Sequence, residues 1–266
     1  MNIKSLITIL IASTMTLAGC GDEHVEEELN TNAPASDWSQ VSSPKADRAT
    51  MDPDEVLSEG SGEHGVEEAT QQDEVLHRSL SAAAWAARIR FPRGAEHFMH
   101  FLQNTGEALD MEVDRLLADN PIENIEDAST SLGSRVSEEL EVLKAEANAW
   151  IQENGNGQEA LEGSLSGEWS HFYATQGDWY WALGGFQFRI DAEVSYVPGS
   201  PVTIRYKVQV EDHYNWDAGK EIELPFNLKI TDEIFQRLHI VGIAREFVIE
   251  GVSSLQVYEY DYEHQQ

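Results

Sequence analysis

The chain has 266 residues and a formal net charge of −31, because 48 acidic residues stand against 17 basic ones. This charge disfavours binding to nucleic acid and electrostatic binding to anionic lipid, since both carry negative charge themselves. Cys20 is the single cysteine, so no disulfide can form within the chain. The folded part must therefore be stabilised by its apolar core.

Residues 1–19 have the pattern of a lipoprotein signal peptide. Lys4 precedes an apolar run from Leu6 to Leu17, and this run is shorter than the roughly 20 residues of a membrane-spanning helix. It ends in LAGC, which resembles the lipobox of bacterial lipoproteins, whose cysteine is lipidated and becomes the new N-terminus. We therefore predict a palmitate-bearing lipid anchor at Cys20 in the bacterial cell envelope. The glycine after the cysteine favours the outer membrane.

Residues 20–73 have the composition of an acidic disordered tether. They are rich in Asp, Glu, Ser, Ala and Pro, so they offer little apolar surface to offset the entropy of ordering. A flexible chain of this length reaches about 40 Å. We interpret the acidic run as a solvated spacer, and a docking segment for a basic partner is the alternative.

Three segments with helical apolar period follow the tether. The predicted helices cover residues 74–90, 95–118 and 134–153. The proline of FPRG ends the first helix, because the residue before proline avoids the α region. Gly106 is a candidate break within the second helix, and NGNG ends the third.

From Glu168 onward the apolar period falls to two, which is typical of half-buried strands. The runs FQFRIDAEVSYV and VTIRYKVQVEDHY alternate in this way on either side of PGSP, which predicts an antiparallel hairpin. The segments 170–186 and 245–263 each supply one or two further strands. A short helix is predicted over 231–238, with Thr231 as its N-cap.

The predicted fold class is therefore α+β. Amphipathic helices come first, over residues 74–155. A mostly antiparallel sheet with one short inserted helix follows, over residues 165–263. Both parts belong to one predicted globular domain, residues 74–266.

Four blocks between about residue 91 and the end of the chain resemble a known module. They read HFLQNTGEALDMEVDRLLADNP, DWYWALGGF, DHYNWDAGK and TDEIFQRLHIVGIAREFVIEGVS. In order and spacing they are similar to an uncharacterised C-terminal module of large secreted or polymorphic-toxin-type bacterial proteins. The resemblance implies a fold unit rather than a reaction. This chain carries a lipobox and a tether in place of a large upstream region.

The segment VEDHYNWDAGK, residues 210–220, contains the densest group of polar side chains behind a strand. By strand phase Asp212 falls on the apolar face, where its carboxylate needs hydrogen-bond donors or a cation. The candidate donors are the amides of the following turn, Lys220 and Arg245.

Three roles remain open for Asp212. Its carboxylate could cap the turn that follows the strand, or it could act as a catalytic acid or base. It could also form a calcium site with Asn215 and Asp217, although the oxygens alternate imperfectly and no distal glutamate follows.

Other candidate residues carry weaker signals. His97 and His100 lie three apart on a predicted helix and could converge on zinc, but no third ligand lies nearby, so no metal and no cofactor are expected. His239 is a candidate general base near a helix end, where a histidine also interacts favourably with the helix dipole. The tryptophans Trp179, Trp181 and Trp216 are weak candidates for ligand binding, with aromatic packing as the alternative.

Two functional hypotheses follow. The first is a lipid-anchored envelope protein that is not an enzyme and binds a protein or a glycan through an aromatic sheet face. The second is an envelope-acting hydrolase or toxin-type enzyme that uses Asp212, Asp217 or His239, with Arg245 as a further candidate. A concave pocket holding Asp212 with His239 or Arg245 would favour the enzyme.

Overall fold

The structure is a computed structural model that describes residues 60–125, 128–155, 157–216, 221–224 and 228–262. The predicted signal peptide, Cys20 and most of the predicted tether lie outside the described residues, as do Asp217 and Lys220. The described part has an α+β fold, with a mostly antiparallel sheet and a few helices, as predicted. It divides into two compact units. Unit 1 holds the described residues of 60–106 and 214–246, and unit 2 holds those of 107–213 and 247–262.

The helices and strands carry the following labels in chain order. They are α1 (Gln71–Ala87), α2 (Pro92–Leu102), β1 (Leu109–Asp110), α3 (Val113–Asp119), β2 (Ile122–Ile125), β3 (Ala128–Ser131), α4 (Leu132–Gly155), β4 (Leu161–Ser166), β5 (Ser170–Tyr173), α5 (Gly177–Ala182), β6 (Gly185–Tyr196), β7 (Val202–Tyr214), β8 (Glu221–Leu224), β9 (Leu228–Thr231), α6 (Glu233–Ile240), β10 (Phe247–Val252) and β11 (Gln256–Tyr260).

Unit 1 includes residues that precede the predicted domain start at Glu74. The backbone N–H groups of Gly65 and Glu67 donate to the carbonyl oxygens of His239 and Ile240, each at 3.2 Å. The described end of the predicted tether is therefore part of this unit.

Helix α1 begins three residues before the predicted position because its first turn is capped. The Asp73 carboxylate accepts a hydrogen bond from the Thr70 N–H at 2.8 Å, and the Thr70 hydroxyl oxygen accepts one from the Asp73 N–H at 3.3 Å. This reciprocal pair is a capping box, which satisfies two backbone donors that a helix start would leave unpaired.

The second predicted helix, residues 95–118, is two helices. Helix α2 ends at Leu102 and α3 begins at Val113. Between them Gly106 has a φ of +64°, and a Cβ at that position would lie 2.4 Å from Arg245 Nε. The positive φ favours a glycine at this position, and the exposed Arg245 side chain packs against it.

The core of unit 1 is partly aromatic. The Trp216 and Phe235 ring centroids lie 4.2 Å apart, and Phe98 meets Phe235 edge-on at 5.4 Å. Helix α1 buries one face of leucine and alanine, formed by Leu76, Leu80 and Ala84. It contacts both α2 and α6.

The end of unit 1 differs from the prediction in two details. Strands β8 and β9 form an antiparallel hairpin that the sequence analysis did not predict. Thr231 ends β9, so α6 begins at Glu233 with Asp232 in the N-cap position instead of Thr231. Gly242 follows the helix with a φ of +74°, as expected for a residue just past a helix end.

Unit 2 is built on a seven-stranded sheet. The order is β1-β10-β7-β6-β4, while β11 also pairs with β7 and β5 with β6. Strands β6 and β7 form the predicted antiparallel hairpin, whereas β1 pairs with β10 in parallel. Residues paired across the hairpin, such as Ile190 with Val208, are buried on the same face, where α4 packs against β4 and β6.

The segment predicted as strand around DWYWALGG is instead helix α5. The Leu183 N–H donates to the Trp179 carbonyl oxygen at 2.9 Å, which closes one helical turn. The Trp179 indole N–H donates to Asp119 Oδ2 at 3.1 Å. Aromatic residues favour strands, but this preference depends on tertiary context. Here that context includes the hydrogen bond from Trp179 to Asp119.

Three tyrosines at alternate positions join the end of the chain to α4. The Tyr258 hydroxyl donates to Glu141 at 3.1 Å, the Tyr260 hydroxyl to Asn148 at 3.2 Å, and the Tyr262 hydroxyl to Gln152 at 3.0 Å. The three acceptors lie along one face of α4. The tyrosines occupy alternate positions, so their side chains point to the same side of the strand, toward that helix face. We call this set the tyrosine ladder.

Candidate functional site

A buried group of polar side chains in unit 1 is the strongest candidate for chemistry. It consists of Ser61, His239 and Glu246, which the fold brings together from three places in the sequence. Glu246 Oε1 accepts hydrogen bonds from the backbone N–H groups of Ser61 and Trp216, each at 3.0 Å, and from the Ser61 hydroxyl. The carboxylate therefore has several donors, as a buried charge requires.

His239 is fixed in one tautomer by two backbone groups. Its Nδ1 accepts a hydrogen bond from the Glu246 N–H at 3.2 Å, so the ring proton sits on Nε2, which donates to the Gly62 carbonyl oxygen at 3.0 Å. Burial lowers the pKa of His239, and the Glu246 carboxylate opposes this effect. The imidazole is therefore neutral at pH 7.

The three residue types match those of a serine hydrolase, but their arrangement does not. In a catalytic triad the serine hydroxyl donates to the histidine. Here the Ser61 hydroxyl donates to Glu246, and the only lone pair of the His239 ring accepts a backbone N–H. The cluster therefore joins three parts of unit 1 and offers no activated nucleophile. Of these three residues, only His239 was a candidate from the sequence; Ser61 and Glu246 were not predicted.

Asp212 lies on the core face of β7 with 3% of its surface exposed, in agreement with the strand phase. Its Oδ1 accepts a hydrogen bond from the His213 N–H at 2.8 Å. A backbone amide is thus one of its partners, but His213 lies within β7 itself and not in the turn for which the cap was predicted. Asp212 belongs to unit 2, whereas His239 and Arg245 belong to unit 1.

Glu123 on β2 is a second buried carboxylate of unit 2 that the sequence analysis missed. It accepts a hydrogen bond from the Tyr173 N–H at 3.0 Å, and burial raises the pKa of its carboxyl. The Thr175 N–H donates to the Ile122 carbonyl oxygen at 3.0 Å beside it. Glu123 therefore fastens the β2–β3 hairpin to β5.

The two helix histidines, His97 and His100, belong to no group of three or more potential metal ligands among the described residues. His97 is buried, with its ring 6.2 Å from the Tyr214 ring in an edge-on arrangement. Within the described part of the chain, no group of three or more His, Cys, Asp or Glu side chains could hold a metal ion. The proposed calcium ligand Asp217 lies outside that part.

The candidate tryptophans do not share a sheet face. Trp179 is buried in α5, and Trp181 lies half-buried on the same helix with its ring 5.1 Å from the Tyr180 ring. Trp216 packs among the aromatic residues of unit 1. The expectation of an aromatic binding face on the sheet is therefore wrong for these residues.

A groove of about 590 Å³ lies in unit 2 between α3, α4 and β7. Its carboxylate, Asp114, accepts hydrogen bonds from the Ser254 N–H at 2.9 Å and the Ser254 hydroxyl at 3.0 Å. Tyr206 also lines the groove, and burial raises the pKa of its hydroxyl. No histidine lines the groove, so it lacks the usual general base.

Three exposed apolar residues on β10, on β11 and in the connection between them were not predicted from the sequence. Val252, Leu255 and Val257 expose 53%, 53% and 59% of their surface. Val257 lies on β11 opposite Arg205 of β7. We call these three residues the outer patch. The sequence does carry a signal for this patch, because Val252 and Val257 are apolar residues in the outward phase of their strands.

Comparison with known proteins shows little similarity for this chain. No family model matches the chain, and no curated protein matches it. A search of solved structures finds similarity to PaeM, a colicin M-like bacteriocin produced by Pseudomonas aeruginosa, with 14% identity and a TM-score of 0.34. The match covers 65% of this chain and about half, 52%, of PaeM. It establishes neither fold nor activity for this chain.

Among the described residues, no helix is both long enough and apolar enough to cross a bilayer.

Proposed function

We propose that this chain is a lipid-anchored protein of the bacterial cell envelope that binds a protein partner and is not an enzyme. The lipid sits on Cys20, and the partner contacts the outer patch of unit 2. A glycan partner is less well supported, because the candidate tryptophans do not form a stacking platform on the sheet.

The outer patch is the observation that carries the proposal. Three apolar side chains within six positions are each more than half exposed, and exposed apolar clusters commonly mark interaction sites. Strand β11 pairs with β7 and, among the described strands, with no other. A strand with an open edge can accept a strand from a partner, so main-chain pairing and apolar contact are both available here.

The buried polar groups favour binding over catalysis. Ser61, His239 and Glu246 use their polar atoms on one another and on backbone groups. Asp114 in the groove is engaged by Ser254. These contacts account for the most conspicuous side chains without a reaction.

Photo-crosslinking in intact cells tests the binding surface. A photoreactive residue at Val257 should give a defined crosslinked product. The matched control is Val142 on α4, which exposes a similar fraction of its surface, 53%, and should give none. Equal crosslinking at both positions, or none at Val257, would contradict the proposal.

Fractionation tests the anchor independently of the partner. The chain with Cys20→Ser should leave the membrane fraction, whereas the unsubstituted chain should require detergent for its release. An unsubstituted chain that is soluble without detergent would contradict the anchor and leave the crosslinking result intact.

An envelope-acting hydrolase is the second candidate. The burial of the Asp212 carboxylate near the end of β7 favours it, because catalytic sites often hold buried carboxylates. The resemblance of four sequence blocks to a module of toxin-type proteins points the same way. Substitution of Asp212 separates the two candidates, because a catalytic carboxylate can be lost without loss of stability.

A further inference from the structure

A second exposed surface lies on unit 1, at the end of α1 and the turn that follows it. Trp85 exposes 68% of its surface and Ile89 exposes 94%. Leu80 and Ala84 of the same helix are buried, so Trp85 lies on the opposite, solvent-facing side. Large apolar side chains exposed to this degree are unfavourable in water unless something covers them.

The charge around these residues is opposite in sign to that of the whole chain. From Arg78 to Arg93 the sequence contains four arginines and no acidic residue, although the chain as a whole carries −31. Arg78 pairs with Glu74 at 3.0 Å and Arg93 with Glu96 at 3.2 Å. The arginines at positions 88 and 90, which flank Ile89, are exposed.

We propose that Trp85, Ile89, Arg88 and Arg90 form a membrane-contacting tip that enters the headgroup region of a phospholipid bilayer. Trp and Ile bury apolar surface at the boundary of the acyl chains, while arginine side chains keep their guanidinium groups at the level of the phosphates. This contact is separate from the lipid on Cys20 and from the outer patch.

Two features favour a lipid surface over a protein partner. Ile89 is almost fully exposed at a turn beyond a helix end, so it projects from unit 1 rather than lining a depression that would hold a partner side chain. The local positive charge is complementary to phosphate, and tryptophan with arginine is the pairing typical of membrane interfaces. The acidic remainder of the chain should limit the contact to this tip by repulsion from an anionic surface.

Vesicle flotation tests the proposal without the lipid anchor. The probe is the chain from residue 20 onward with Cys20→Ser, mixed with phosphatidylcholine vesicles that contain or lack phosphatidylglycerol. The chain should float with the vesicles that contain phosphatidylglycerol. The double variant Trp85→Glu and Ile89→Glu should lower the partition coefficient at least about tenfold, since it removes the buried apolar surface.

The arginine variants test the electrostatic part. Arg88→Gln and Arg90→Gln should each lower binding to the phosphatidylglycerol vesicles by about fivefold and have a smaller effect on phosphatidylcholine alone. Val142→Glu on α4 is the control, because it changes the net charge by −1, as each arginine variant does, but at an exposed apolar position of unit 2, and it should leave flotation unchanged. The arginine variants also keep the test decisive if the double variant fails to fold.

Three results would overturn the proposal. The first is absence of flotation by the chain that carries only Cys20→Ser. The second is equal flotation by the double variant in folded form. The third is a double variant that only turns a dimer into a monomer, which would assign the tip to a second copy of the chain.

Discussion

Ser61 donates both its backbone N–H and its hydroxyl to Glu246, a residue 185 positions further along the chain. Both residues are buried in unit 1. The carboxylate also accepts the Trp216 N–H at 3.0 Å, so it joins three separate stretches of sequence. Substitution of Glu246 should therefore lower the stability of unit 1.

Glu246→Ala should destabilise unit 1. The substitution leaves the buried donors of Ser61 and Trp216 unpaired, and each such donor costs roughly 1–3 kcal/mol of unfolding free energy. Glu246→Gln should cost less, because its amide oxygen keeps one acceptor. Urea denaturation measures the difference, with Glu250→Ala at an exposed position of β10 as the control. Equal stability of the two alanine variants would contradict the role given to Glu246.

Limited proteolysis should place the start of the resistant core near Gly60. The backbone of Gly65 and Glu67 is hydrogen-bonded to the end of α6, and bonded backbone resists cleavage. In Glu246→Ala the first cut should move toward Gln71, where the capped helix begins. N-terminal sequencing of the resistant fragment identifies its first residue. A core that starts near Glu74 in the unsubstituted chain would contradict the hydrogen bonds of Gly65 and Glu67 to the end of α6.

The sequence was sufficient where the relevant signal is local. The β6–β7 hairpin and the burial of Asp212 both follow from an uninterrupted period of two, and each was predicted. Gly106 was a candidate break because glycine allows the backbone conformation that it adopts.

The sequence was insufficient where distant residues decide the outcome. Helix α5 carries aromatic residues that favour strands, and its contact with Asp119 cannot be inferred from a nearby pattern. Ser61 stands in an acidic, glycine-rich stretch that has the composition of a tether, yet its partner Glu246 lies far along the chain. Because of this separation in sequence, the cluster of Ser61, His239 and Glu246 could not be predicted.

The stability of unit 2 should fall above pH 10. Burial, with the neighbouring Tyr258 and Tyr262, raises the pKa of Tyr260 from 10.0 to about 12. The folded state therefore holds this proton more tightly than the unfolded state, and the stabilisation, present in full below pH 10, is lost as pH rises toward about 12. Tyr260→Phe should reduce the slope of melting temperature against pH in this window. An unchanged slope would contradict a contribution of the tyrosine ladder to this pH dependence. Tyr206, whose pKa is also raised by burial, would then account for the loss of stability.

His171→Phe should leave stability at pH 7 unchanged or raise it. Both ring nitrogens of His171 are buried without a hydrogen-bond partner among the described residues, so an apolar ring removes an unmet desolvation cost. Burial lowers the pKa of His171 from 6.5, because the folded state disfavours the charged ring; stability is therefore full above that value and is lost as pH falls below it. Thermal melts at pH 7 and pH 5 should show a smaller acid loss for the variant. A clear destabilisation at pH 7 would mean that His171 has a partner in solution.

Thermal melts of Asp212 variants, read together with complementation of a deletion strain, test the central claim that the buried polar side chains are structural. Asp212→Ala should lower the melting temperature clearly, because it leaves a donor such as the His213 N–H unpaired inside unit 2, and Asp212→Asn should lower it less. Both variants should complement the deletion to the extent that they remain folded. An Asp212→Ala protein that is folded, as stable as the unsubstituted chain and unable to complement would contradict this account and favour the hydrolase.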